Sequence, residues 1–374
     1  AQIMLHRYLS ALGPEAARHS VISLLPAGTH AAALRALGVE VTSLGLSRGR
    51  LPLRLPQHLR QLRAQLRTAA PSVVHGWMYH GCLAAWAGLA GRGPARPGLV
   101  WAIHQSLQDI RNEKRSTRLL LRILAGLSGG REVITYCSAA AQRQHEAIGF
   151  AGRRTALIPN AVDTGAFRPD PQARQRLAAL CGVPRGRFFI GNCARSHPMK
   201  DHVSMVRAVA VLRAAGHDVQ AVIIGEGVPG SPAAAEARRL GIADRVTALE
   251  ARDDIARLMP GLDVYLLSSA WGEAFPLAVA EAMACGVPCV VTDVGDCALL
   301  VGETGAVVPP GDPQAQADAV ARLLQGGPEL RQARARQARA RVAREFSMRR
   351  YADLHKAAYH QAIAERGRCR PDPA

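Results

Sequence analysis

Long apolar runs are missing from this chain. No stretch of about 18 residues escapes a charge or a helix breaker, so a membrane-spanning helix is not expected. The eight cysteines include no C-x-x-C pair, and the nearest trio (Cys285, Cys289, Cys297) lacks a zinc spacing. They read as reduced, buried thiols of a cytoplasmic protein. Aromatic residues make up only 4% of the 374 positions, which leaves no stacking platform for nucleic acid. P-loop, H-E-x-x-H, G-x-S-x-G and G-x-G-x-x-G patterns are absent. No D-x-D pair follows a strand, so no metal is expected. Acids are absent between Glu40 and Asp109, and lysine is confined to Lys114, Lys200 and Lys356.

What remains is a globular composition, 48% hydrophobic and 20% charged with mean hydropathy +0.01, long enough for two to three domains. The net charge is +18, from 47 basic and 29 acidic residues. Residues 1–160 hold 20 basic against 6 acidic positions (+14), and the remainder 27 against 23 (+4). The first half is therefore expected to meet something anionic, unless arginine-rich coding alone explains it.

Short β-branched runs alternate with amphipathic stretches, the pattern of an α/β protein with parallel sheets. Strands are expected at 21–25, 39–44, 73–75, 99–103, 133–136 and 155–158, and again at 188–194, 219–224, 245–249, 264–267, 288–292 and 305–308. Pro159–Pro171 has no periodicity and reads as a linker. The boundaries expected are 1–160, 161–345 and a terminal segment 346–374, whose helix crosses back to the first domain. The chain opens on a helical pattern (Ile3, Leu5, Leu9, Leu12), so the first domain is expected to lack its first strand.

Ligands of open parallel sheets bind beyond the carboxyl ends of the strands. Four second-half loops share that rim: Arg195–Lys200, Gly225–Gly227, Ser268–Pro276 and Asp293–Asp296. Arg195 and Lys200 set two cations beside a helix start that Asp201 is fit to cap, an arrangement suited to a diphosphate. A chain that uses 44 arginines keeps a compact ammonium at Lys200. Pro276 is expected to open a helix that Gly286 and Pro288 stop. Glu273 then precedes that helix and Glu281 lies within its apolar body, where a carboxylate needs a partner: a sugar or ribose diol, or an arginine.

These loops together resemble family 4 of the retaining glycosyltransferases, which share the GT-B fold of two facing Rossmann-like domains. Ile158-Pro-Asn-Ala-Val-Asp-Thr164 is similar to the I-P-N-G-V-D-T linker of that family, with Ala161 in place of glycine. Arg195…Lys200 resembles its R-x4-K clamp, Glu273…Glu281 its E-x7-E signature, and Val307–Pro313 its P-P-G-D-P segment. The resemblance implies that Glu281 holds the nucleotide ribose. Glu273, with the backbone of the segment Phe275, Pro276 and Leu277, would meet the donor sugar. Gly225 and Arg252 fall on loops near the nucleotide, and Arg195 and Lys200 would neutralise the leaving diphosphate. Trp77–His80 and Trp101–Ser106 resemble a subgroup that builds bacterial surface polysaccharides; His104 stands one place before that subgroup's histidine, at Gln105.

The expected activity is metal-independent transfer of a hexose-type sugar from a nucleoside-diphosphate sugar to a glycan, lipid-linked acceptor, with no cofactor besides the donor. A basic segment (Arg111, Lys114, Arg115, Arg118, Arg122) beside Leu119–Leu121 and Ile123–Leu124 suits an anionic membrane surface. An epimerase of the same fold is the alternative, separable by products formed from donor alone. A nucleic-acid partner is not expected.

Overall fold

A computed structural model describes residues 1–47, 55–91, 93, 96–107, 110–129 and 133–366. Asp109 and Cys369 lie outside the described residues. The chain divides into unit 1, residues 1–160 with those from Met348 onward, and unit 2, Ala161–Ser347.

Unit 1 carries β1 (Ser20–Ser23), β2 (Glu40–Ser43), β3 (Val73–Trp77), β4 (Gly98–Ile103), β5 (Val133–Tyr136) and β6 (Arg154–Leu157). All pair in parallel. They form two sheets, β1-β2 and β3-β4-β5-β6. No described strand bonds β1 or β2 to β3. β4 and β5 are buried along their whole length, as central parallel strands must be. Trp101, Ile103, Leu121, Leu124, Ile134 and Tyr136 lie in their core. The helix Met348–Arg366 belongs to this unit, and Gly98 lets it in: a Cβ there would stand 2.7 Å from the Ala362 carbonyl oxygen.

Unit 2 carries β7 (Phe188–Cys193), β8 (Val219–Ile224), β9 (Val246–Leu249), β10 (Val264–Leu267), β11 (Cys289–Thr292) and β12 (Ala306–Val308). They form one parallel sheet in the order β12-β11-β10-β7-β8-β9. Successive residues bury on opposite faces. Phe189, Tyr265, Leu267 and Val291 face a core with the helices Leu277–Ala284 and Gly327–Glu345. Ile190, Val264, Leu266 and Val290 face another with His202–Ala214 and Pro313–Gln325. Connections run outward in both directions from β7 and β10, so the order reverses between them, and a crevice forms there at the strands' carboxyl ends. The two ends of unit 2 meet: the Val162 amide donates to the Phe346 carbonyl at 2.9 Å, and Val162 bridges to Ser347.

Five of the seven described cysteines are buried and all seven are free thiols. Cys181 and Cys193 depart from the expectation in being only half-buried.

Candidate active site at the sheet's reversal point

Every loop expected to carry chemistry leaves a strand of unit 2 at the same end of the sheet. After β7, the Ala194 amide donates to the Ile224 carbonyl (3.0 Å) and the Ser196 amide to the Glu226 carbonyl (2.8 Å). Gly225 makes this contact feasible, since a Cβ there would stand 2.0 Å from the Ala194 oxygen. The Gly227 amide donates to Glu250 Oε2 at 3.0 Å, which ties in the loop after β9.

The β7 and β10 loops are joined more closely. Ala270 donates its amide to the Met199 carbonyl (2.8 Å), and Ser268 its hydroxyl to the Lys200 carbonyl (2.9 Å). Beneath them Asn192 Nδ2 donates to the Leu266 carbonyl at 2.7 Å, and its Oδ1 accepts from His202 Nε2 at 3.2 Å. Burial pushes the His202 imidazole down to about 4, with the Lys200 charge adding to it. Asp201 caps the helix that follows, accepting from the Ser204 amide at 3.2 Å.

Lys200 Nζ lies 2.5 Å from Glu273 Oε1, which also accepts from the Ser269 hydroxyl at 2.6 Å. Both side chains are largely enclosed, at 17% and 8% exposure. Each charge thus has its counter-ion in place before any ligand arrives. Glu273 is held from behind by Gly295, where a Cβ would stand 1.8 Å from the Glu273 carbonyl oxygen and φ is +59°. Thr292, at the end of β11, donates to the Ser269 carbonyl at 2.7 Å.

The helix after this loop starts at Leu277, and Pro276 is its N-cap with ψ 96°, not its first helical residue. The Pro276 carbonyl takes the Val279 amide, leaving Leu277 and Ala278 at the helix's open end. Phe275 is buried against the Phe346 ring at 5.2 Å, so only its backbone can serve a ligand. Glu281 is half-buried among the buried Val279, Ala280, Ala282, Met283 and Ala284. Its charge reaches Cys193 at the end of β7: burial first, and then Glu281, push that thiol up to about 12. Arg195 is exposed two residues beyond Cys193 and forms no hydrogen bond or ion pair among the described residues. Arg252 turns instead to Asp254, in two bonds of 2.8 and 2.9 Å. Among the described residues no group of three or more His, Cys, Asp or Glu is placed to hold a metal ion.

In unit 1, His104 follows β4 directly, stacked on Trp77 and bonded to Asn160. Gln105 Nε2 donates to Glu113 Oε1 at 3.1 Å. On the helix Arg115–Ser128 the apolar run divides: Leu120, Leu121 and Leu124 are core, correcting the reading of one apolar patch. Only Leu119 (60%) and Ile123 (44%) face outward, beside exposed Lys114, Arg115 and Arg122 and half-exposed Arg118. Arg111 is exposed as well. No helix among the described residues is long and apolar enough to cross a membrane.

Ser269 and Gly295 lie within the rim loops expected from the sequence and Asn160 within the linker, but no role was read for any of them, and Asn192 was not singled out at all. Their partners lie 4 to 74 positions away, and none belongs to a motif of its own except Asn160 in the linker.

Residues 4–166 match the family described as Glycosyltransferase Family 4, and residues 186–326 match Glycosyl transferases group 1. The putative glycosyltransferase EpsF of Bacillus subtilis is 33% identical over 140 residues, 37% of this chain and 36% of that one. The lipopolysaccharide core biosynthesis mannosyltransferase LpsB of Rhizobium meliloti is 27% identical over 320 residues, 80% of this chain and 83% of that one. The match with EpsF spans about a third of that relative's length. Among solved structures, HepE of Anabaena in complex with UDP-glucose superposes with a TM-score of 0.80 at 21% identity, over 95% of this chain and 94% of that one.

Proposed function

Starting from a chain that belongs to the family 4 glycosyltransferases and has their GT-B fold, we propose that it moves a hexose-type sugar, with retention of anomeric configuration, from a nucleoside-diphosphate sugar to a lipid-linked glycan of the cell surface. The observation that carries this reading is the Lys200–Glu273 pair at the point where the sheet order reverses. A sugar diphosphate has anionic oxygens on one side of the breaking bond and hydroxyls on the other. Lys200 and Arg195 answer the first, and Glu273 with the Leu277 and Ala278 amides answers the second.

As the glycosidic bond breaks, negative charge grows on the departing diphosphate. A fixed ammonium and a free guanidinium then stabilise the transition state more than the ground state. Glu273, pinned by Ser269, accepts from sugar hydroxyls. Glu281, whose field reaches Cys193, accepts from the ribose diol. No protein nucleophile is assigned; retention follows from attack on the face the diphosphate leaves. The mannosyltransferase LpsB supports a surface-polysaccharide role, and HepE's complex supports a nucleotide-sugar donor. The outward Leu119 and Ile123 within a basic rim support work at an anionic membrane on its cytoplasmic side, where the lipid-linked acceptor would lie.

Thermal-shift titration with UDP-, GDP- and ADP-sugars tests the donor site. Glu281→Ala should weaken nucleotide binding, whereas Glu273→Ala should spare nucleoside diphosphate binding and abolish transfer. Normal nucleotide affinity in Glu281→Ala would overturn the ribose assignment.

A further inference from the structure

An α-helix leaves its last four carbonyls without a donor of its own. In the helix Leu277–Ala284, the carbonyls of Glu281, Ala282 and Met283 take the amides of Cys285, Val287 and Gly286 at 3.0, 2.9 and 3.0 Å. The fourth belongs to fully buried Ala284 and accepts from Arg339 Nη1. The same nitrogen donates to the Phe167 carbonyl at 3.2 Å, and Nη2 to the Thr164 carbonyl at 3.3 Å. One guanidinium thus ties the end of this helix to the first residues of unit 2. The Cys285 thiol, next in the chain, feels charge from both directions: burial and then Glu281 push it up to about 12, and Arg339 opposes them.

Arg341 serves the short helix Cys297–Val301 in the same way. Its Nε donates to the Leu300 carbonyl at 2.9 Å and its Nη2 to the Leu299 carbonyl at 2.6 Å. Both arginines stand on the helix Gly327–Glu345, whose buried stripe here is Ala338 and Val342. At about 100° per residue they flank that stripe by roughly 80° on either side. A guanidinium fork can hold two or three carbonyls at once, which a point-like ammonium cannot.

The two helices begin where the candidate site lies. Leu277–Ala284 carries Glu281 and opens with the Leu277 and Ala278 amides, about 12 Å from its braced end. Ahead of Cys297, Gly295 backs the Glu273 carbonyl closely, and the Asp296 amide donates to the Ala274 carbonyl at 3.3 Å. We infer that Arg339 and Arg341 are positioning residues of the donor site: Arg339 sets the placement of the helix with Glu281, and Arg341 that of the loop that holds Glu273. Both roles rest on the donor-site reading above, and they divide its support between two side chains at the far ends of the helices.

Titration calorimetry on the full chain, at a temperature where every variant is folded, reads that division. The probes are UDP, GDP, ADP and their hexose conjugates. Arg339→Met should weaken the nucleoside diphosphate and its conjugate alike, about tenfold, the weight of one lost hydrogen bond. Arg341→Met should bind the nucleoside diphosphate as the native chain does and the conjugate about tenfold less tightly. Arg331→Met is the control. It gives up bonds to the Leu323 and Leu324 carbonyls, at the end of the helix Pro313–Gln325 that follows edge strand β12, and should leave both affinities unchanged. Arg339→Lys keeps the Ala284 carbonyl within reach and should recover most of the loss. If Arg339→Met does not fold, Arg339→Gln takes its place with the same expectation. Native affinities in folded Arg339→Met, or a matching loss in Arg331→Met, overturn the inference; so does an Arg341→Met chain whose two affinities fall together. Glu281→Ala alongside separates the failures. Unchanged nucleotide affinity there overturns the donor-site reading, whereas a loss there with none in Arg339→Met overturns the bracing alone.

Discussion

Replacing Lys200 by methionine separates what the lysine does for the fold from what it does for the reaction. The substitution keeps length and apolar stem but leaves the Glu273 carboxylate, at 8% side-chain exposure, with the Ser269 hydroxyl as its hydrogen-bond donor. Breaking a buried pair from one side costs about 3–5 kcal/mol; Lys200 retains 17% exposure, so water reaches the gap and about 2–3 kcal/mol is expected. In a unit of this size that lowers the melting temperature by roughly 4–12 °C. Glu273→Gln should cost less, about 1 kcal/mol, because the amide oxygen still accepts from Ser269 and the freed ammonium can turn outward. The double variant removes both charges. It should be no less stable than Lys200→Met alone, giving a coupling of about 1–2 kcal/mol in a denaturant double-mutant cycle. Transfer, assayed below the melting range, should fall about 10²–10³-fold in Lys200→Met through the lost charge on the leaving group. Strictly additive stabilities would refute the pair as a structural element. Undiminished transfer by folded Lys200→Met would refute its role at the diphosphate.

Three further outcomes follow from the same structure. Gly295→Ala should destabilise unit 2 by about 2–3 kcal/mol and abolish transfer while sparing unit 1, because the new Cβ meets the Glu273 carbonyl at 1.8 Å; proteolysis of the two units reads this. His145 is fully buried, its Nε2 2.8 Å from the Tyr79 hydroxyl, and burial holds its imidazole down at about 4. A depressed folded value means that the unfolded chain takes up the proton first. Stability from this residue is therefore complete above about pH 6.5 and is lost as pH falls toward 4, by about 2 kcal/mol at pH 5. Denaturant midpoints from pH 7.5 to 5 should fall with a slope to which the similarly depressed His202 also contributes, and His145→Gln should reduce the loss by about 2 kcal/mol without removing it. Reversing Lys114, Arg115, Arg118 and Arg122 to glutamate should abolish sedimentation with anionic vesicles at physiological salt; unchanged sedimentation would end the membrane assignment.

Strand positions were legible because parallel strands buried on both faces leave unbroken β-branched runs: β5, β8 and β10 start and stop where the apolar runs of Val133–Tyr136, Val219–Ile224 and Val264–Leu267 do. Pairing was less legible. Whether β1 joins β3 depends on contacts between distant segments, and local pattern carries no trace of them. At the site, residue types and spacings identified Arg195, Lys200, Glu273 and Glu281 through family motifs. That Lys200 closes on Glu273 could not be read, because a 73-residue separation is bridged only by the sheet order. The loop of Arg252 was expected near the nucleotide through its backbone, and the pairing of its guanidinium with Asp254 two residues on was not read from the sequence. Trp77, on which His104 stacks, packs against His355, 278 positions later, with no motif to connect them.

The meeting of Val162 with Phe346 and Ser347 has a consequence for how such chains diversify. A module whose first and last residues are hydrogen-bonded neighbours can be exchanged as one cassette. Crossovers at those two points would replace the whole of unit 2 without rethreading the backbone or leaving a raw end in either partner.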